Sequence, residues 1–355
     1  EPAPGGADGP FATIERARDE VRSFKRGGTL LEPVTVHIRG GHYQLSDPLT
    51  FTPQDSGTAD CPVTYVAFPG ESPVICGGRK ITEWYRGLGG VWNAEVPEVK
   101  EGDWVFRQLF VNGQRRQRAR TPNEGFFQAD GDISLGPPAQ FNYRDKDIQP
   151  LWAGRGDVEI VALQKWAEFR MQIRQIDPVQ RKVTLSGKCA PSNREKNARY
   201  WVENAAEALD APGEWYLDRR TGVVSYKPMA GESLSDFEAA VPVIGTLVRL
   251  DGGEAGGEPV SHIRFEGLEF QHASWTLPQS GYTDMQAAYD IPAAFEADNA
   301  RFCSVERCRF AHLGRYAVQF TNGSKYCRLV GNEMTDLGAG AVKIGETGRP
   351  MDPDK

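Results

Sequence analysis

Shifted against itself by twenty-four positions, the end of this sequence matches apolar to apolar and glycine to glycine. Phe302 meets Tyr326, Cys303 meets Cys327, Val305 meets Leu329 and Phe310 meets Met334. Leu313 meets Leu337, Gly314 meets Gly338, Val318 meets Val342 and Phe320 meets Ile344. A repeat in the low twenties made of short alternating segments implies a β-solenoid, because one coil cannot bury its apolar face alone and must stack on the next. An earlier coil joins with a larger step. Ile263, Phe265, Leu268 and Phe270 match Cys303, Val305, Cys308 and Phe310 forty positions on, and the sixteen surplus residues fit an excursion over residues 275–289. Coils stack about 4.8 Å apart, so Val318 is expected above Val342 and Phe320 above Ile344 in a parallel stack.

The chain opens with a helix that Thr13 can cap. Ile14, Ala17, Val21 and Phe24 fall near helical spacing, and Gly27 and Gly28 stop it. From Val34 the period changes to two, and short strands follow at 34–38, 49–51, 63–67 and 74–76, each bounded by Pro, Gly or Asp. One helix followed only by short strands suits a solenoid whose first coil is capped. Residues 104–243 differ in texture: hairpin signals at Asn112-Gly113 and Thr221-Gly222, abundant Trp and no repeat register. They are expected to form an inserted antiparallel β module with its own core. The reading is thus all-β, with residues 1–103 as helical cap and first coils, 104–243 as the module and 244–355 as further coils.

Bulk properties narrow the function classes. At 355 residues, 39% hydrophobic and 25% charged, the composition is that of a globular protein, and a formal charge of −7 disfavours general binding to nucleic acid or anionic membrane. No apolar run approaches the roughly 18 residues of a membrane span. The six cysteines form no CxxC pair and gather no histidines, so no metal or other cofactor is expected. Cys303 and Cys327 are ladder neighbours, either as stacked thiols or as a disulfide. The first residues, Glu1-Pro2-Ala3-Pro4-Gly5-Gly6, resemble a mature start after a removed leader, which implies a secreted or periplasmic protein. Nothing in the sequence sets the oligomeric state.

Several stretches resemble a known group. Pro10 to Ile14 before the helix resembles the opening of pectate-lyase-like β-helix proteins. Pro62-Val63-Thr64-Tyr65-Val66-Ala67-Phe68-Pro69-Gly70-Glu71, with Gly77-Gly78 and Trp84, resembles the early coils of β-helix glycoside hydrolases. Val111-Asn112-Gly113, Arg118-Ala119-Arg120-Thr121-Pro122-Asn123 and Pro212-Gly213-Glu214-Trp215-Tyr216-Leu217-Asp218 resemble the inserted module of glycoside hydrolase family 141 and, more distantly, family 120 xylosidases. The resemblance implies a right-handed parallel β-helix that hydrolyses plant or algal polysaccharides, fucosides and xylans included. Such relatives carry coils beyond the point matching Lys355, so this sequence is read as a piece of a longer enzyme, with part of the active site beyond it.

Glycoside hydrolysis uses two carboxyl groups flanking the scissile bond. On a solenoid they must point outward. If Val342 and Ile344 point in, Lys343 points out, with Gln319 one coil back and Glu296 before that, giving one polar row with Glu346 at its edge. This is either a substrate groove or a solvated face. Glu346 is the first candidate for nucleophile or base, since Lys343 beside it would favour its ionised form. Asp336 is either the acid or a turn cap. Asn332 is expected to bond backbone at a coil corner. His272, Trp275, Tyr289 and His312 are candidates for a sugar platform, since the apolar face of a pyranose stacks on an aromatic ring; packing is the alternative. The cluster Arg115-Arg116-Gln117-Arg118-Ala119-Arg120 would grip a sulfated or uronic substrate through forked hydrogen bonds or pair with acids at the seam of the module. Trp166 and Trp215 are expected in the module's core. Three functions compete: a glycoside hydrolase, a polysaccharide lyase on the same fold, and a non-catalytic carbohydrate-binding surface protein. The lyase is disfavoured because the solenoid part lacks a tight Asp cluster for calcium.

Overall fold

The computed structural model describes residues 9–25, 30–102, 104–191 and 194–346. The chain forms two compact units, one of Glu1–Arg79, Pro242–Ser274 and Ile291–Lys355, the other of Lys80–Val241 and Trp275–Asp290.

The first unit is built from three five-stranded parallel sheets. In order, the first contains Val34–Ile38, Val63–Ala67, Ile263–Glu266, Ser304–Glu306 and Arg328–Val330. The second contains Gly41–Gln44, Pro73–Cys76, Glu269–Gln271, Arg309–Leu313 and Glu333–Leu337. The third contains Leu49–Phe51, Val248–Asp251, Ala293–Asp298, Tyr316–Thr321 and Val342–Ile344. The chain visits the sheets in turn, so each circuit stacks on the last. Val318 pairs with Val342 and Phe320 with Ile344, as the twenty-four-residue step requires. The forty-residue step places Phe265 beside Val305 and Phe270 beside Phe310. Both long departures from the repeat, residues 80–241 and 275–290, leave a coil between its second- and third-sheet strands.

Stacking dictates what stands inside. Phe270 lies flat on Phe310 with centroids 4.7 Å apart, while Phe295 meets Phe265 edge-on at 5.3 Å. Where coils turn, their backbones nearly touch. A Cβ at Gly338 would lie 2.5 Å from the backbone of Gly314, which explains why the two glycines coincide in the repeat. Corner backbone groups need partners once removed from water. Asn332 supplies two of them, accepting from the Cys308 N–H and donating to the Val305 carbonyl, both at 2.8 Å. Fully buried Asn299 donates toward the carbonyls of Gly252, Glu254 and Gly257. Cys303 and Cys327 are both free, and their thiols donate to carbonyls of Val260 and Ala300. The helix runs Ile14–Phe24, with the Thr13 hydroxyl accepting from the Arg16 N–H. It buries Ile14, Ala17 and Val21 but leaves Phe24 exposed. Gly27 and Gly28 lie outside the described residues.

The second unit contains two mainly antiparallel sheets with separate cores, one around Trp92, Trp215 and Tyr226, the other around Phe141, Trp152, Phe169 and Tyr200. Trp215 is fully buried as expected, but Trp166, at the turn between Glu159–Leu163 and Glu168–Asp177, is 65% exposed. Two arginines of the cluster pair with acids of this same unit. Arg116 reaches Glu232 at 2.7 Å, and Arg118 reaches Glu159 at 3.1 Å and Glu203 at 3.4 Å. Arg107 also forks onto Glu159, and Arg170 bridges Glu168 and Glu203. Burial alone would push the Glu159 carboxyl up, but Arg107 and Arg118 outweigh it and hold it at about 2. The sheet register brings together acids that are dispersed in sequence.

Two predictions follow from this packing. Asn299→Ala removes the donor that serves three carbonyls, and should lower the unfolding free energy by about 1–3 kcal/mol in a denaturant titration. Burial raises the Asp157 carboxyl to about 6, with Arg118 and Arg219 offsetting it only in part. The folded chain keeps this proton to higher pH than the unfolded chain, whose carboxyl titrates near 3.9. Stability from this group is therefore lost as pH rises from about 4 through about 6. Asp157→Asn should raise the melting temperature at pH 7.5, with the gain shrinking as pH falls toward 4.

Candidate functional site

Alternation along the third sheet divides its residues between core and exterior. Val248, Phe295, Val318 and Phe320 enter the core, so the residues between them face out. Parallel pairing then stacks Thr50, Arg249, Glu296, Gln319 and Lys343 in one row across five coils. Glu296 is only 7% exposed and accepts from Arg249 through Nη2 at 2.9 Å and Nε at 3.1 Å. Lys343 donates to the Ile291 carbonyl at 2.7 Å and lies over the Tyr316 ring. Gly340 makes room for that ring, since a Cβ there would sit 2.4 Å from it. The Gln319 side-chain oxygen is buried in this row without a hydrogen-bond partner.

Arg315 lies alongside. Its guanidinium donates to the Ser274 carbonyl at 2.8 Å, and burial lowers its pKa while Glu296 raises it. Gly245 leaves the space it fills. One step along the strands, Asp251 and Asp298 stand in register on adjacent coils. Asp298 accepts from the Thr321 hydroxyl and from Asn322 Nδ2. The sequence reading did not single out Arg249, Arg315, Asp251 or Asp298. The outward alternation in Val248–Asp251 is the signal that would have found the first and third. Arg315 follows a coil corner, where no alternation applies.

Glu346 is exposed and its carboxylate accepts from the Asn322 N–H, the equivalent residue one coil back. This contact ties it to a turn at the end of the row. Asp336 stands elsewhere, near the end of the second-sheet strand Glu333–Leu337. His272 and His312 stack there with centroids 5.5 Å apart, and His312 Nδ1 lies 2.7 Å from Asp336 Oδ2. Cys76 Sγ continues the line, 3.3 Å from His272 Nδ1. His272, His312 and Asp336 share a left-handed backbone, with φ of 59°, 60° and 50°. The structure therefore collects Glu296, Gln319 and Lys343 in one row and His272, His312 and Asp336 in another. Trp275 and Tyr289 belong to the second unit. Trp275 there lies under the Arg107 guanidinium and meets Tyr282 edge-on at 5.4 Å. Among the described residues no group of three or more His, Cys, Asp or Glu side chains is arranged to hold a metal ion.

Coil spacing sets what such rows can do. Carboxylates on adjacent coils stand close to the separation of about 5–5.5 Å used by retaining glycosidases, and carboxylates two coils apart near the roughly 6.5–9.5 Å of inverting ones. A stacked outward face thus offers both geometries without any change of fold.

The family model of the GH141 insertion domain matches residues 89–229. A solved structure described as a glycoside hydrolase is 27% identical and superimposes with a TM-score of 0.81, covering 97% of this chain and 66% of its own. This chain thus spans about two-thirds of that protein's length. A solved complex of XylC with xylose is 13% identical, with a TM-score of 0.42, covering 94% of this chain and 52% of its own. No curated protein matches the sequence. The inserted module is therefore similar to the insertion domain of family 141 glycoside hydrolases, and the chain as a whole is similar to a solved glycoside hydrolase.

Proposed function

We propose that the protein is a secreted or periplasmic glycoside hydrolase that cleaves a plant or algal polysaccharide or oligosaccharide by a two-carboxylate mechanism, on a right-handed parallel β-helix. The observation that carries this reading is the match to a solved glycoside hydrolase at 27% identity over 97% of the chain. The row of Glu296, Gln319 and Lys343 binds sugar hydroxyls, helped by the buried and unpartnered oxygen of Gln319. Trp275, Tyr289, His272 and His312 supply ring surfaces for stacking. Glu346 serves as nucleophile or base. Asp336, held by His312, is the second carboxyl within the sequence. Proton transfer by the acid and charge stabilisation by its partner lower the barrier to an oxocarbenium-like transition state.

The test is a screen for release of reducing ends from plant and algal glycans, followed by substitution in the active protein. Glu346→Gln and Asp336→Asn should each lower kcat by about two orders of magnitude or more, with the melting temperature nearly unchanged. Glu296→Gln should raise KM more than it lowers kcat. Near-normal turnover in Glu346→Gln would make Glu346 a turn-capping carboxylate and nothing more. Product with a new ultraviolet-absorbing double bond would identify a lyase instead.

A further inference from the structure

The corner leading into the first sheet of the first unit carries a ladder of aromatic rings. His262 stacks on Phe302 with centroids 5.1 Å apart and planes 9° apart, and Phe302 on Tyr326 at 5.0 Å and 11°. All three residues adopt left-handed backbone, with φ of 56°, 55° and 59°. For a side chain with a Cβ that conformation is unfavourable, and Asn or Gly would fill it at lower cost. Burial does not offset the cost, since Phe302, although flanked by both other rings, is 48% exposed. Large rings held in a strained conformation and turned to solvent point to a contact with something outside the chain.

The surroundings define its chemistry. Arg301 pairs across coils with Lys325, and these residues immediately precede Phe302 and Tyr326. Arg264 and Arg328 follow two residues after His262 and Tyr326, roughly 7 Å along the strands. They stand in register with Ser304 between them, which sets the two arginines roughly 9–10 Å apart. None of the four cations has an ion-pair partner among the described residues, whereas nearby Arg307 pairs with Glu266 and Glu306. Ser304 is 6% exposed, and its hydroxyl has no hydrogen-bond partner. The Arg301 Nε is likewise buried without one. Leaving a buried donor without an acceptor is unfavourable, and an acceptor brought by a ligand would recover the bond.

We propose that this corner binds an anionic, uronate-bearing polysaccharide, at a site separate from the outward row of the third sheet. Carboxylates suit the fork of Arg264 or Arg328 and the Ser304 hydroxyl between them. Sugar rings lie against the exposed edges of the aromatic ladder. A polymer with a charge on each repeating unit matches cations that recur from coil to coil. Nucleic acid fits less well, because the chain's charge of −7 opposes a dense polyanion that extends beyond the four-cation corner. The proposal goes beyond the hydrolase reading, and its measurement is binding, so failure of hydrolysis leaves it standing or falling by itself.

The experiment is calorimetric titration of the chain with oligogalacturonate, beside a neutral xylo-oligosaccharide, a sulfated glycan without uronate and a single-stranded RNA. Oligogalacturonate should bind, more weakly as salt rises, and the neutral sugar should not. The double variant Arg264→Gln/Arg328→Gln should weaken binding at least tenfold, and Tyr326→Ala several-fold, at unchanged melting temperature. If the double variant misfolds, Lys325→Gln takes its place, with a several-fold loss expected. Wild-type affinity in the folded variants would overturn the proposal. So would equal or tighter binding of the neutral sugar, the sulfated glycan or the RNA.

Discussion

Hydrogen bonding between successive coils is the constraint on which the first unit depends. A strand in each sheet satisfies its backbone only if the next coil presents a strand in parallel register. Once register is fixed, every position in one coil lies over its equivalent in the next. Apolar residues must then recur at inward positions, as Val305 over Leu329 and Phe310 over Met334 show. Corners must recur too. Gly338 recurs over Gly314 because the Gly314 backbone leaves no room for a Cβ at Gly338, and Asn332 recruits the backbone of the preceding coil because no strand partner is available at a turn.

The same constraint organises the exterior. Side chains that face out are held about one coil apart, so chemistry accumulates in rows. The third sheet sets Arg249, Glu296, Gln319 and Lys343 side by side, and the end of the second sheet aligns His272, His312 and Asp336. A third row, of His262, Phe302 and Tyr326, marks the opposite end of the first-sheet strands. A solenoid in this way builds extended surfaces suited to a polymeric ligand without any one deep cavity.

The second unit follows another logic. Its strands are mostly antiparallel, and its least ordinary feature is a buried set of ion pairs joining Arg107, Arg118 and Arg170 to Glu159, Glu203 and Glu168. Such a network contributes little net stability against an apolar alternative, but loss of one member leaves an uncompensated buried charge. It links Arg118 of one sheet with Glu159 and Glu203 of the other. That accounts for a run of arginines which, taken alone, resembles a surface for an acidic ligand.

The sequence by itself determined the repeat, and with it the parallel stacking, the inward and outward faces and the row of Glu296, Gln319 and Lys343. A strict period leaves only one register in which apolar residues meet. It also marked where the repeat breaks, at the long insertion and at the excursion after residue 274. Only the tertiary structure decided the partners of individual polar groups. Glu346 meets the Asn322 N–H, Asp336 meets His312, and the arginines after Asn112-Gly113 meet Glu159, Glu203 and Glu232. It also exposed Trp166 and assigned Trp275 and Tyr289 to the second unit. The physical reason is one of range. Periodicity reports whether a side chain faces apolar interior or water, a property shared by every residue at that position. A hydrogen bond or ion pair depends on two atoms approaching within about 3 Å, and those atoms belong to strands far apart in the chain.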